Sequence, residues 1–204
     1  MTKVKICGLS RPCDIEVANR LMPEYVGFVF AKSPRQVCAE QARALKEQLH
    51  PDIAAVGVFV DERIEHIVSL VEQGIVDIVQ LHGKEDELYI EALKAVIDVP
   101  IIKAITVCQA GDAQKWETSS ADYLLLDSGS GGSGLPFDWR VIGALSKPYF
   151  LAGGLCADLA QKALEDTSAF GLDVSSGVET DGVKDATKME RFMSAVRPKG
   201  QSDG

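Results

Sequence analysis

Short apolar segments rich in β-branched residues recur along the whole chain, in a number that few folds accommodate. KVKIC, YVGFVF, AAVGVFV, VDIVQL, IIKAI, DYLLLD, PYFLA and FGLDVS make eight. Between them, apolar residues at three- and four-residue spacing predict helices around 39–49, 62–73, 86–97, 158–166 and 185–196. Only VCQAGDAQKWETSS, after IIKAI, is too short and polar for a helix. Strands alternating with helices build either an open doubly wound sheet or a closed barrel. The count of eight and a repeat of about 25 residues favour closure. GSGGSG at 129–134 has the wrong glycine spacing for a dinucleotide fingerprint and runs into Leu-Pro-Phe, not a helix. The chain is therefore read as α/β, a single-domain (β/α)8 TIM barrel over 1–197, with the helix after strand five short or absent and a polar tail at 198–204.

With 204 residues, 46% of them hydrophobic, the chain supports one core. A formal charge of -9 without a run of Lys or Arg argues against nucleic acid as a partner. No apolar stretch approaches the length of a membrane span and MTKVKICG is no secretory signal, so no membrane partner and a cytoplasmic location are expected. The five cysteines, at 7, 13, 38, 108 and 156, show no CxxC spacing, which indicates neither a disulfide framework nor a zinc site.

Barrel active sites form at the C-terminal ends of the strands. Side chains alternate along a strand, so Leu124 and Leu126 share one face while Leu125 and Asp127 share the other. If the leucine pair faces the helices, Asp127 points inward at the rim. The same alternation turns Lys5 and Cys7 inward from strand one, Gln80 and His82 from strand four, and Asp173 and Ser175 from strand eight. Taken singly, each has a plainer reading: an inert core thiol for Cys7, a helix cap or turn former for Asp127, a turn residue for His82. Gly153-Gly154 and Ser176-Gly177 follow strands seven and eight, where backbone N–H groups of side-chain-free loops hold phosphate in many barrels.

KICG at 5–8, GFVF at 27–30, SPR at 33–35, QLHG at 80–83, LLLD at 124–127, GGSG and FDW at 131–139, AGGL at 152–155, and DVSSGVE with GVKD at 173–185 together resemble the phosphoribosylanthranilate isomerase family. The resemblance implies a (β/α)8 barrel of tryptophan biosynthesis that acts on a small phosphorylated aminosugar without cofactor or metal. Its reaction is an Amadori rearrangement of N-(5-phosphoribosyl)anthranilate to the aminoketose. It implies Cys7 as general base, Asp127 as general acid and Arg35 as the holder of the anthranilate carboxylate. Gln80, His82 and Asp173 are read as further substrate contacts, Asp173 at the ribose, and Gly132, Gly154, Ser176 and Gly177 as phosphate-binding. A monomer or homodimer is expected.

Chemistry sets conditions on these roles. An unperturbed aspartate, with a pKa of about 3.9, is ionised at neutral pH, so an acid at Asp127 calls for burial that favours the protonated form. A free thiol, with a pKa of about 8.5, is mostly protonated there, so a base at Cys7 calls for a nearby cation. Lys5 is the candidate, unless a barrel carboxylate neutralises it. The glycines after Asp127 suit a loop that closes over substrate. Two departures from the family pattern, Cys156 in place of Asn and GGSGL in place of GGTGK, bear on the loop after strand seven and on that lid. Other readings are a different phosphosugar isomerase or synthase, a relative that also takes a bisphosphorylated aminosugar, and a non-catalytic phosphosugar-binding barrel.

Overall fold

The computed structural model describes residues 2–127 and 139–197. Its centre is a closed parallel barrel in chain order: β1 (Lys3–Cys7), β2 (Tyr25–Val29), β3 (Ala54–Phe59), β4 (Ile78–Leu81), β5 (Ile101–Thr106), β6 (Tyr123–Asp127), β7 (Tyr149–Leu151) and β8 (Gly171–Val174), with β8 pairing back to β1. Around it run α1 (Pro12–Leu21), α2 (Ala39–Lys46), α3 (Ile64–Glu72), α4 (Glu87–Lys94), α5 (Ala157–Asp166) and α6 (Ala186–Val196). The expected helices after strands two, three, four, seven and eight are all present. Among the described residues no helix is long and apolar enough to cross a membrane.

The connection after β5 is a single 3-10 turn, Gln114–Trp116, as its polarity predicts. A second connection departs from expectation. Between β6 and β7 the described residues hold only the 3-10 turn Trp139–Ile142, not a helix. It stops at Gly143, whose φ is +64°, and the strand begins soon after Pro148. The two short turns support each other, since Gln114 Nε2 donates to the Ile142 carbonyl at 2.7 Å. The stretch 128–138, with Gly132 and the glycines read as a lid, and the tail at 198–204 lie outside the described residues.

Strand alternation divides the core into two. Val4, Ile6, Leu124 and Leu126 pack outward against the helices, whereas Val56, Ile102, Leu125 and Phe150 fill the barrel itself. Near the N-terminal ends of the strands, the interior is closed by aromatic rings. Phe150 meets Tyr25 and Phe170 edge to face, with centroids 5.4 and 5.5 Å apart. Above this plug Lys5, Cys7, Gln80 and Asp173 turn inward, toward a cavity at the C-terminal end of the barrel.

Candidate active site

A cavity of about 570 Å³ opens at the C-terminal ends of the strands, and Cys7, Arg35, Gln80, His82, Asp127, Gly154, Asp173 and Ser176 all line it. Eight of the ten residues expected at the site therefore meet there. Gly177 is not among the lining residues; it lies where the loops after β7 and β8 pack together, and a Cβ on it would stand 1.9 Å from the Leu155 carbonyl oxygen. The tenth, Gly132, lies outside the described residues.

Cys7 ends β1 and turns inward because Val4 and Ile6 take the helix-facing side. Room for its sulfur comes from the neighbouring strand, where a Cβ on Gly27 would stand 2.7 Å from Cys7 Sγ. One layer below, Lys5 is fully buried and donates to Asp173 Oδ1 at 2.9 Å, across the β1–β8 register. Burial alone would lower the Lys5 ammonium, but Asp173 and Cys7 hold it above its ordinary value. Lys5 thus meets both expectations at once, a cation near Cys7 and a lysine neutralised by a barrel carboxylate. For Cys7, burial prevails: it pushes the thiol up, with Asp173 adding to it, against the downward pull of Lys5 and Lys184. The expected lowering of the thiol is not met, because burial outweighs the pull of the cations and Asp173 adds to it.

Asp127 ends β6 with its side chain 28% exposed, between two concavities. His82 Nε2 stands 4.0 Å from Asp127 Oδ2, and His82 Nδ1 is 2.9 Å from Gln80 Nε2. With the amide as donor, Nδ1 accepts and the ring proton sits on Nε2, toward Asp127. Burial lowers His82 despite Asp127, so the imidazole is neutral at pH 7. Gln80 Oε1 is buried without a hydrogen-bond partner among the described residues. That leaves an acceptor aimed at no donor among the described residues. On the other side of His82 and Asp127 lies a cavity of about 540 Å³, lined also by Lys103, Glu85, Thr106 and Trp116. Here Lys103 and Glu85 form a buried pair at 2.7 Å, and Lys103 also donates to the Gly83 carbonyl, fixing the loop that follows His82.

Arg35 reaches the rim from the loop after β2. Its Nε and Nη2 fork onto the two carboxylate oxygens of Glu179, each at 2.6 Å. Glu179 was not foreseen as a site residue. It begins a small hairpin, β9 (Glu179–Thr180) and β10 (Val183–Lys184), in which Glu179 pairs with Lys184 across the strands. The signal was present in ETDGVK: an Asp-Gly pair between two short flanks is a two-residue hairpin turn, and Asp181 and Gly182 adopt φ of 51° and 79°.

In the loop after β7, Gly153 and Gly154 take φ of +85° and +67°, a left-handed course that costs glycine no steric strain, and the first turn of α5 follows. Ser176 faces them from the loop after β8. The cavity thus carries an arginine at one side, exposed backbone at another, and a thiol and a carboxyl between. Its wall near the arginine is apolar, formed by Val29, Ala31, Val58 and Val60.

Comparison with known proteins agrees on one family. The family model described as N-(5'phosphoribosyl)anthranilate (PRA) isomerase matches residues 4–195. A relative from Clostridium acetobutylicum named N-(5'-phosphoribosyl)anthranilate isomerase is 42% identical, the match covering 97% of this chain and 98% of that one. The crystal structure of phosphoribosyl anthranilate isomerase from Thermotoga maritima superposes with a TM-score of 0.87 at 33% identity, covering 96% of this chain and 98% of that one. Another structure of such an enzyme, in complex with reduced 1-(o-carboxyphenylamino)-1-deoxyribulose 5-phosphate, superposes with a TM-score of 0.85 at 31% identity and the same coverage.

Proposed function

Because the chain belongs to the N-(5'-phosphoribosyl)anthranilate isomerase family, aldose–ketose isomerases of tryptophan biosynthesis, we propose that it performs an Amadori rearrangement with Asp127 as general acid and Cys7 as general base. The substrate is N-(5-phosphoribosyl)anthranilate, a small phosphorylated aminosugar. The observation that carries this reading is that Cys7 and Asp127, from strands separated by two others around the barrel, line one cavity.

The chemistry divides between them. Asp127 delivers a proton to the ribose ring oxygen as the anilino nitrogen pushes its electron pair toward C1, and the C1–O bond breaks to leave a protonated Schiff base. Cys7, as thiolate, then removes the hydrogen on C2, and the electrons of that bond flow to the iminium nitrogen. The resulting enolamine takes a proton at C1 and loses one from the C2 hydroxyl, giving the ketone. Lys5 and Lys184 favour the thiolate, and so does the positive charge of the protonated Schiff base formed in the first step.

The remaining groups bind. Arg35 takes the anthranilate carboxylate, with the ring against Val29, Val58 and Val60. Gly154 and Ser176 hold the phosphate, with Gly177 keeping their two loops in contact and Gly132 contributing from the glycine loop. Asp173 reaches the ribose from beside Lys5, and the orphaned Gln80 oxygen accepts from a sugar hydroxyl, with His82 steadied beside it. The catalytic domain spans 1–197 and works in the cytoplasm as a monomer or homodimer.

The test is the fluorescence decay of freshly prepared phosphoribosylanthranilate. Wild-type protein should accelerate it, and Cys7→Ser and Asp127→Asn should each lose about a hundredfold or more, the scale of general acid–base groups. No acceleration by wild type sinks the activity, whereas full activity in either variant sinks only that residue's role.

A further inference from the structure

Arg35 is held at two points along its length. Its stem crosses Gly8, where an added Cβ would stand 2.5 Å from Arg35 Cδ, and its head lies flat on Glu179 through Nε and Nη2. That fork uses one edge of the guanidinium and leaves the two N–H groups of Nη1 outside the pair. Glu179 is itself fixed from behind. Its side chain is 6% exposed, and Lys184, 1% exposed, donates to the same carboxylate and, at 3.0 Å, to the Ser175 carbonyl. Burial would raise the Glu179 carboxyl, but Arg35 and Lys184 hold it below its ordinary value, so the anion persists at neutral pH.

A buried carboxylate between two cations is costly to desolvate and is weak evidence for stability in itself. Here it also does something for the cavity. A long arginine side chain left alone at a rim samples many rotamers and loses that freedom when a ligand arrives. Glu179 removes the freedom beforehand and sets the plane of the fork.

We propose that Glu179 is a positioning residue, which orients Arg35 so that the edge of its guanidinium not engaged in the pair reads the carboxylate of the substrate. This deepens the reading above and rests on Arg35 meeting that carboxylate. Because its effect on that carboxylate runs through Arg35, its loss weighs more on ligands that carry the carboxylate than on ligands that lack it.

Two stable probes separate the cases: the reduced aminoketose phosphate bearing a 2-carboxyphenyl group, and the same compound with an unsubstituted phenyl group. Calorimetry gives the affinity ratio of the two for each variant. Wild type should prefer the carboxylated probe, and Arg35→Met should abolish the preference. Glu179→Gln should reduce it about tenfold, the scale of one charge-assisted hydrogen bond, with affinity for the phenyl probe falling much less than affinity for the carboxylated one. Glu179→Asp, which keeps the charge on a shorter arm, should recover part of the loss. Because Glu179→Gln leaves Lys184 buried without its carboxylate, Glu179→Gln/Lys184→Met serves as a variant with both charges removed, and the same ratio is expected to fall. If Arg35→Met loses the preference and the Glu179 variants keep it, or if they weaken both probes alike, the positioning role fails and the arginine's role stands. If wild type shows no preference, or Arg35→Met retains it, the arginine's role fails and the proposal with it.

Discussion

At the N-terminal ends of the barrel strands Tyr25, Tyr123, Phe150 and Phe170 close the barrel with rings packed on one another, whereas at the C-terminal ends Cys7, Asp173, Gln80, His82 and Asp127 face a cavity. The lower set satisfies itself: apolar area is removed from water and the ring geometries are favourable without any ligand. The upper set does not. It buries charges that must be matched in pairs, leaves a glutamine oxygen without a partner among the described residues, and holds a thiol above its ordinary value. One strand thus serves two ends, folding at the beginning and chemistry at the tip, and substitutions at the two ends should separate stability from activity.

The sharpest separation is expected at the tip. Cys7→Ser and Asp127→Asn should cost about a hundredfold to ten-thousandfold in kcat. Their urea unfolding midpoints should stay close to that of wild type. A midpoint falling in proportion to the lost activity would erase the distinction between the ends.

Phe150→Ala is the converse. The ring is buried in the plug, so the cavity left behind should destabilise the fold by about 3–5 kcal/mol in urea titrations. The fraction that remains folded should turn over with unchanged kcat. If kcat instead collapses with the fold intact, the plug transmits its packing to the rim.

The division also explains what could be read from the sequence. Alternation along a strand has a period of two, so the inward positions of Lys5, Cys7, Gln80, His82, Asp127 and Asp173 followed from the apolar residues between them. The closed barrel followed from the count of strands. Partnerships between remote segments carry no such period. Nothing local to Arg35 announces Glu179, and nothing near Lys103 announces Glu85, because each pair exists only once its segments have been brought together in the fold. For the same reason the electrostatic state of Cys7 was out of reach: it depends first on how deeply the closed barrel buries the thiol, and then on Asp173, which comes from the far end of the chain to match Lys5. The departure before β7 is a different case: among the described residues, Gly143 with its positive φ and Pro148 bound a segment too short for a helix.

Titration tests the upper region directly. The ultraviolet absorbance of the thiolate, taken as wild type minus Cys7→Ser, should appear above the ordinary thiol range, since burial pushes the Cys7 thiol up. The sign for stability follows. The thiol of the unfolded chain loses its proton first, so the contribution is complete below the ordinary thiol value and is lost as pH rises through the higher value of the folded state. Lys184→Met should move the absorbance step to still higher pH, because Lys184 pulls the thiol down. A step at or below the ordinary value would mean that the cations outweigh burial, and the upper region would then be poised for catalysis before substrate arrives.

The smallest effect concerns a rim residue with no catalytic role. Cys156 is the N-cap of α5, with extended backbone and no side-chain hydrogen bond to the first turn. A thiol is a poor acceptor for the N–H groups left open there, whereas an asparagine oxygen in the same backbone conformation can take one of them. Cys156→Asn should therefore stabilise the protein by about 1 kcal/mol, seen as a higher urea midpoint. The residue stands beside the loop proposed to hold phosphate, where Gly177 already packs against its Cα. If the rim is arranged for binding at some expense in stability, the gain should come with a changed KM and an unchanged kcat. A gain in midpoint with neither constant altered would instead mark position 156 as an ordinary helix end, and would draw the boundary of the upper region inside the loop, at Gly154 and Leu155.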